Sequence, residues 1–215
     1  MNRIPPPLAD HLRLGGGLLC QTIEGRFEKV AVRPLAVLPG SFNPLHAGHR
    51  TLAEVAGRRL GCEVHFELSV TNVDKPELSA EVVAERLRQF VGVGPVWVTR
   101  AAGVLKKSQL FPGAAFALGF DTAVRLIDPL YYGGEKGRDE ALAKLVERGC
   151  RVLVGGRVDG AGEFRVWEDR LAGEFRDLFE VISEHEFRVD VSSTQLRASL
   201  GEPGPQGPWV ASAGT

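Results

Sequence analysis

The chain has little that would staple it or anchor it. Its three cysteines, Cys20, Cys62 and Cys150, stand far apart and are odd in number. They are poor material for a disulfide framework, and reduced thiols are the expected state. No run of 18 or more apolar residues occurs, so neither a membrane span nor a membrane partner is expected. The opening residues carry Pro5-Pro6-Pro7 and Asp10 where a secretory signal would carry an apolar core, which makes the expected location cytoplasmic. Charge of neither sign dominates: 26 Lys and Arg against 27 Asp and Glu leave −1. That balance removes the electrostatic case for a nucleic-acid partner. A small anion can still be held by local groups.

What is present is ordinary for a globular domain, with 44% apolar and 25% charged residues over 215 positions. Residues 1–34 read as an N-terminal extension, with a stiff, extended Pro5-Pro6-Pro7 and a break at Gly15-Gly16-Gly17. The run Leu18–Ile23 fits a strand or a short helix equally well. Residues 201–215, mostly Gly, Pro, Ala and Ser, read as a flexible tail.

Between them lies a domain over 35–200 with an alternating pattern. Short apolar runs are expected as strands at Leu35–Leu38, Val64–Val70, Val96–Thr99, Ala114–Leu118, Arg151–Val154 and Phe179–Ile182. Helical spacing links Leu52, Val55, Ala56 and Leu60, with Gly61 as the stop. It also links Val83, Leu87, Phe90 and Val91 after Ser79, and Leu142, Leu145 and Val146 before Gly149. This alternation predicts an α/β fold, a Rossmann-like three-layer α/β/α arrangement with a mainly parallel sheet of about five strands. Such sheets bind ligands beyond the carboxyl ends of their strands.

The first run leads into Gly40-Ser41-Phe42-Asn43-Pro44-Leu45-His46-Ala47-Gly48-His49. A strand, a turn rich in Gly and Pro, and two histidines at a helix start make a phosphate site, because helix N-termini and turn N–H groups favour anions. With the helix starting near Leu45, His46 and His49 share one side of its first turn. A zinc site would need a third ligand, and neither HExxH nor a cysteine pair is present, so no protein-held metal is expected. A second cluster, Asp190-Val191-Ser192-Ser193-Thr194-Gln195-Leu196-Arg197, places three hydroxyls at a helix start and an arginine one turn on. The hydroxyls can cap the helix or donate to phosphate. The planar guanidinium can reach the same anion.

His-x-Gly-His and Ser-Ser-Thr-x-x-Arg, in this order and at this separation, resemble the two signatures of the nucleotidylyltransferase superfamily. Gly-Ser-Phe-Asn-Pro is most similar to the nicotinamide and nicotinate mononucleotide adenylyltransferases. Ser69–Lys75 stands where those enzymes have a substrate loop with a lysine, Arg86 matches an arginine on the next helix, and Gly119-Phe120-Asp121 stands in place of Gly-Ala-Asp.

The resemblance implies transfer of AMP from ATP to a pyridine mononucleotide, releasing pyrophosphate. It implies His46, His49 and Arg197 as catalytic residues. ATP would also meet Gly40, Ser41, Phe42, Gly119, Asp121, Arg157, Ser192, Ser193 and Thr194. Asn72, Lys75, Arg86 and Asp121 would hold the acceptor, and magnesium would arrive with ATP. The oligomeric state is left open, and a homo-oligomer is compatible with the sequence. Alternatives keep the motifs and change the acceptor to phosphopantetheine or a sugar or alcohol phosphate, with CTP able to replace ATP, or reduce the domain to a non-catalytic nucleotide-binding module.

Asp121, ahead of Thr122-Ala123-Val124, is also good N-cap sequence. Lys106 and Lys107 read as a solvated pair, with a phosphate contact as the alternative. Tyr131, Tyr132 and Trp167 are candidates to stack on a base or pyridine ring, and are otherwise core residues. His11, His65 and His185 show no partner pattern.

Overall fold

The computed structural model describes residues 4–15, 18–29, 32–71, 76–159, 163–165, 167 and 173–189. In chain order its elements are α1 (Pro6–Leu14), β1 (Leu19–Gln21), β2 (Phe27–Glu28), β3 (Ala36–Pro39), α2 (Ala47–Leu60), β4 (Val64–Ser69), α3 (Ala80–Arg88), β5 (Val96–Thr99), α4 (Val104–Leu110), β6 (Ala115–Gly119), α5 (Phe120–Ile127), α6 (Glu135–Glu147), β7 (Arg151–Gly155), β8 (Arg157–Val158), β9 (Phe164–Arg165) and β10 (Phe179–Ile182). Short 3₁₀ turns lie at Pro129–Tyr132 and Gly173–Leu178.

Eight strands form one sheet in the order β10-β7-β6-β3-β4-β5-β1-β2. From β10 through β5 all neighbours are parallel. β1 and β2 continue the sheet antiparallel. The expected α/β architecture and mainly parallel sheet are found, with eight strands where about five were expected. Two of the extra strands come from the N-terminal segment, whose strands are too short to show a period-two pattern.

The connections put helices over both faces, so the parallel strands are apolar on both sides. On one face Leu38, Phe66, Leu68 and Val98 pack with Leu52 and Val55 of α2 and Val83 and Leu87 of α3. On the other, Val37, Trp97, Phe116 and Val152 pack with Leu126 of α5 and Leu142 and Leu145 of α6. Leu8 of α1 is fully buried in the first cluster. Pro6 and Pro7 therefore start a helix instead of extending the chain. The first turn of a helix tolerates proline because its N–H groups have no intrahelical acceptor. Val91, placed on the α3 stripe by its spacing, lies beyond the end of that helix and is 53% exposed.

The chain runs from β3 through β4 to β5 on one side, then crosses back to β6 on the other flank of β3. The reversal falls between β3 and β6. In open parallel sheets a crevice forms at that point, outside the carboxyl ends of the strands. The two loops that border it are the one after β3 and the one after β6.

Candidate active site at the β3–β6 switch point

The loop after β3 is built on a buried phenylalanine. Phe42 adopts a left-handed conformation, φ 45°, and is 1% exposed. Its ring meets Phe66, Phe90 and His49 edge-on at centroid distances of 5.7, 4.9 and 5.0 Å. Burial of this ring outweighs the cost of a positive φ, which for a single residue is about 1–3 kcal/mol. Gly40 is required for a steric reason, since a Cβ there would lie 2.7 Å from the Phe42 ring. The Gly40 N–H donates to the Glu67 carbonyl at 3.0 Å, anchoring the loop's start to β4.

Helix α3 and the residue after it hold the loop from one side. Arg86 Nη1 donates to the Ser41 carbonyl at 2.9 Å. Gln89 Nε2 donates to the Phe42 carbonyl at 3.1 Å, while its Oε1 accepts from the Leu45 N–H at 2.8 Å. Arg86, matched by resemblance to an acceptor-binding arginine, is thus placed against the backbone of the histidine loop. Nothing in the sequence singled out Gln89, because the loop groups it bonds lie more than 40 residues away.

Helix α2 begins at Ala47, two residues later than the spacing suggested, and His46 is its N-cap with an extended backbone. His49 is the third helical residue. The imidazoles stack at 3.8 Å between centroids, 30° apart in plane. The His46 backbone N–H donates to His49 Nδ1 at 3.3 Å. His46 Nδ1 is buried without a hydrogen-bond partner. Burial and the neighbouring His46 push the His49 pKa down to about 3, and burial lowers that of His46. Both rings are therefore neutral near pH 7. The bond to Nδ1 leaves the His49 proton on Nε2, so His49 donates from that atom without carrying charge.

At the end of β6, Gly119 caps α5, and Asp121 sits in its first turn instead of at the cap. The expectation of Asp121 as N-cap fails because the helix starts two residues earlier, at Phe120 instead of Thr122. Asp121 instead pairs directly with Arg157 of β8. Two residues expected near the nucleotide are thus joined across the carboxyl ends of β6 and β7. The bulky Phe120 of Gly-Phe-Asp leans edge-on against Trp167, at 6.4 Å. Trp167 is buried and stacks on Phe179 at 5.2 Å, so it belongs to the core. Tyr132 donates its hydroxyl to the Leu126 carbonyl at 2.9 Å, and Tyr131 is 38% exposed.

The lysine pair is corrected for one member. Lys106 is exposed, but Lys107 is buried and bonds Glu67, itself fully buried, at 2.9 Å. The Glu67 carboxylate also accepts from Thr99 Oγ1 at 2.5 Å. Residue spacing could not reveal this pair, which unites β4, β5 and α4. His65 likewise has partners: it accepts at Nδ1 from Trp97 Nε1 at 2.9 Å and faces Glu63 through Nε2.

Asn72, Lys75, Ser192, Ser193, Thr194 and Arg197 lie outside the described residues. The chain leading toward the second motif is fastened to α2. Arg59 bonds Glu180, the Val181 carbonyl and Glu186 at 2.6–3.1 Å. A Cβ at Gly155 would lie 2.9 Å from both Leu52 of α2 and Phe187. Glycine there lets the end of β7, the histidine helix and the later segment converge.

Residues 37–199 match the model of the cytidylyltransferase-like family. The chain belongs to that family. Comparison with curated protein sequences returns no match. The family is the nucleotidylyltransferase superfamily, so the chain is a nucleotidyltransferase acting on nucleotide and phosphate-bearing substrates. The matched span starts in β3 and takes in both motifs, the β3–β6 crevice and the Asp121–Arg157 pair. It leaves out α1, β1 and β2. Among the described residues no helix is long and apolar enough to cross a membrane.

Proposed function

We propose that this family member transfers AMP from ATP to nicotinamide or nicotinate mononucleotide. The observation that carries the reading is the His46–His49 stack beside a Gly-Ser-Phe-Asn-Pro loop at the switch point. A phosphate oxygen of the mononucleotide attacks the α-phosphorus of MgATP. The bond from that phosphorus to the bridging oxygen breaks, and pyrophosphate leaves. No covalent enzyme intermediate forms, so the protein contributes position and charge stabilisation.

His49 Nε2–H donates to the charge growing on the α-phosphoryl oxygens. His46, with an unpartnered Nδ1, is the second ring available to a phosphate. Arg197, Ser193 and Thr194 are proposed to hold the β- and γ-phosphates, and Ser192 to contact ATP beside them. Asn72, Lys75 and Asp121 are proposed on the acceptor side. Among the described residues no cluster of three or more carboxylate, histidine or cysteine side chains offers a metal cage. Magnesium is proposed to arrive with the triphosphate, whose oxygens and water can supply its ligands.

The test is incubation with MgATP and each mononucleotide, read as dinucleotide and pyrophosphate. Equimolar products are expected. Pyrophosphate release only with CTP, or only with another phosphate acceptor, would replace the substrate assignment and keep the reaction class. Binding of ATP with no turnover on any acceptor would support the non-catalytic module.

A further inference from the structure

Gln89 follows directly on α3 and spends both halves of its side-chain amide on the backbone of the histidine loop. Nε2 donates to the Phe42 carbonyl at 3.1 Å, and Oε1 accepts from the Leu45 N–H at 2.8 Å. These are the first carbonyl and the fourth N–H of the stretch Phe42-Asn43-Pro44-Leu45, the two groups that bond each other in a closed four-residue turn. Here the amide stands between them as a bridge. Nε2 also donates to the Arg86 carbonyl at 3.2 Å. Glutamate would turn an oxygen toward two carbonyls, and lysine would offer no acceptor to the Leu45 N–H.

Both ends of the bridge are firmly mounted. The Gln89 N–H reaches back to the Arg86 and Leu87 carbonyls in the last turn of α3. The next residue, Phe90, is fully buried and meets the Phe42 ring edge-on at 4.9 Å. Ring and carbonyl of Phe42 are thus held from adjacent residues. The N-terminal segment, outside the family match, fastens the same helix end. Buried Gln21 of β1 donates through Nε2 to the Leu87 carbonyl at 2.9 Å, and the Gly92 N–H donates to the Ile23 carbonyl at 2.8 Å. On the loop side, Leu45 is followed by His46, whose N–H donates to His49 Nδ1 at 3.3 Å. The bridge ends one residue short of the bond that sets the His49 tautomer.

We propose that Gln89 is a positioning residue that closes the turn ahead of the histidine helix and so keeps the His46 N–H on His49 Nδ1, leaving Nε2–H as the one donor of that ring. The catalytic part rests on the adenylyl-transfer reading above, which gives His49 Nε2–H to the α-phosphoryl oxygens. Gln89 acts through His49 and not on the substrate. A turn closed in advance leaves less to organise when charge develops on the phosphoryl group. The chain of contacts also gives the N-terminal segment a part, since Gln21 braces the helix end from which Gln89 reaches the loop.

Two measurements test this in wild type, Gln89→Met and Gln89→Glu, at a temperature where circular dichroism shows each protein folded. The first records the nitrogen-15 resonances of the histidine side chains near pH 7.5. Wild-type His49 should show a single Nε2–H tautomer, with its two nitrogen resonances well separated. In both variants those resonances should draw together as the tautomers mix. The second measures kcat and the KM values for MgATP and mononucleotide. We expect kcat to fall about 10-fold, less than the roughly 10²-fold cost of a 1 Å misplacement, with both KM values within about twofold of wild type. A space-filling role would spare Gln89→Glu, which keeps the shape of glutamine, whereas the bridge requires loss in both. Mixed tautomers already in wild type, unmoved His49 resonances in both variants, a KM rise in place of the kcat loss, or a fully active Gln89→Glu would overturn the role. Should Gln89→Met not fold, Gln89→Glu carries both measurements. If wild type transfers AMP to neither mononucleotide, the reaction assignment fails separately, and the His49 resonances alone decide the positioning claim.

Discussion

The backbone N–H of His46 donates to Nδ1 of His49 at 3.3 Å, while the two imidazoles stack 3.8 Å apart. One contact thus sets the tautomer of His49, caps the helix that carries it and aims Nε2–H away from the backbone. A donor fixed before substrate arrives has no reorganisation left to undergo when charge develops.

Replacing His49 by Ala removes that donor without touching the bonds made by Gln89 and Arg86. Loss of one such donor typically lowers kcat by about 10²–10³. We expect that drop, with an unchanged far-ultraviolet circular dichroism spectrum. Near-normal turnover in a folded His49→Ala protein would remove His49 from the mechanism.

The low pKa of His49, about 3 against an ordinary 6.5, fixes the sign of a stability effect. Below 6.5 the unfolded chain binds a proton that the folded chain resists, so stability is complete above that value and declines as pH falls toward 3. His46 shifts in the same direction. Glu186, held near 2 by Arg59 and Ser183, adds a loss only below its ordinary 4.5. Between pH 6.5 and 4.5 the His49→Gln variant should therefore lose Tm more slowly than wild type. Parallel Tm curves in that window would show that His49 is not held neutral by the fold.

Gly40→Ala places a methyl group 2.7 Å from the Phe42 ring. Overpacking of this kind costs about 1–3 kcal/mol. Urea unfolding should show that loss, and kcat should fall with it because Phe42 packs directly on His49. Full stability in Gly40→Ala would mean that the loop can move its phenylalanine freely.

Glu67 and Lys107 form a buried pair with the two side chains 0% and 8% exposed. Removing one partner strands a charge, at a cost of about 3–5 kcal/mol. Glu67→Gln and Lys107→Met should each be strongly destabilising in chemical denaturation. The double variant should be less destabilised than the two losses added. Simple additivity would show that the charges do not interact.

Much of the fold was legible because its signals are local. Val64, Phe66 and Leu68 alternate within one strand, and Leu52, Val55 and Ala56 recur at helical spacing, so each element announces itself over a few residues. The Gly-Ser-Phe-Asn-Pro and His-x-Gly-His strings were legible for the same reason: loop, helix start and both rings come from one short stretch. Where prediction failed, the deciding contact was distant. Lys107 looked solvated because Glu67 lies 40 positions away. Pro6 and Pro7 looked extended because the burial of Leu8 that rewards a helix there depends on α3. Asp121 looked like a cap because its partner Arg157 is 36 residues further on.

The alternation of strands and helices and the membership of a nucleotidyltransferase family were legible in the sequence alone. Those properties reside in residue type and short spacing. Tertiary packing was needed to show that β3 and β6 border the crevice, that Gly40 is glycine because of the Phe42 ring, and that Lys107 is buried against Glu67. Each of these depends on which distant segments pack together, and burial across both faces of one sheet settles that.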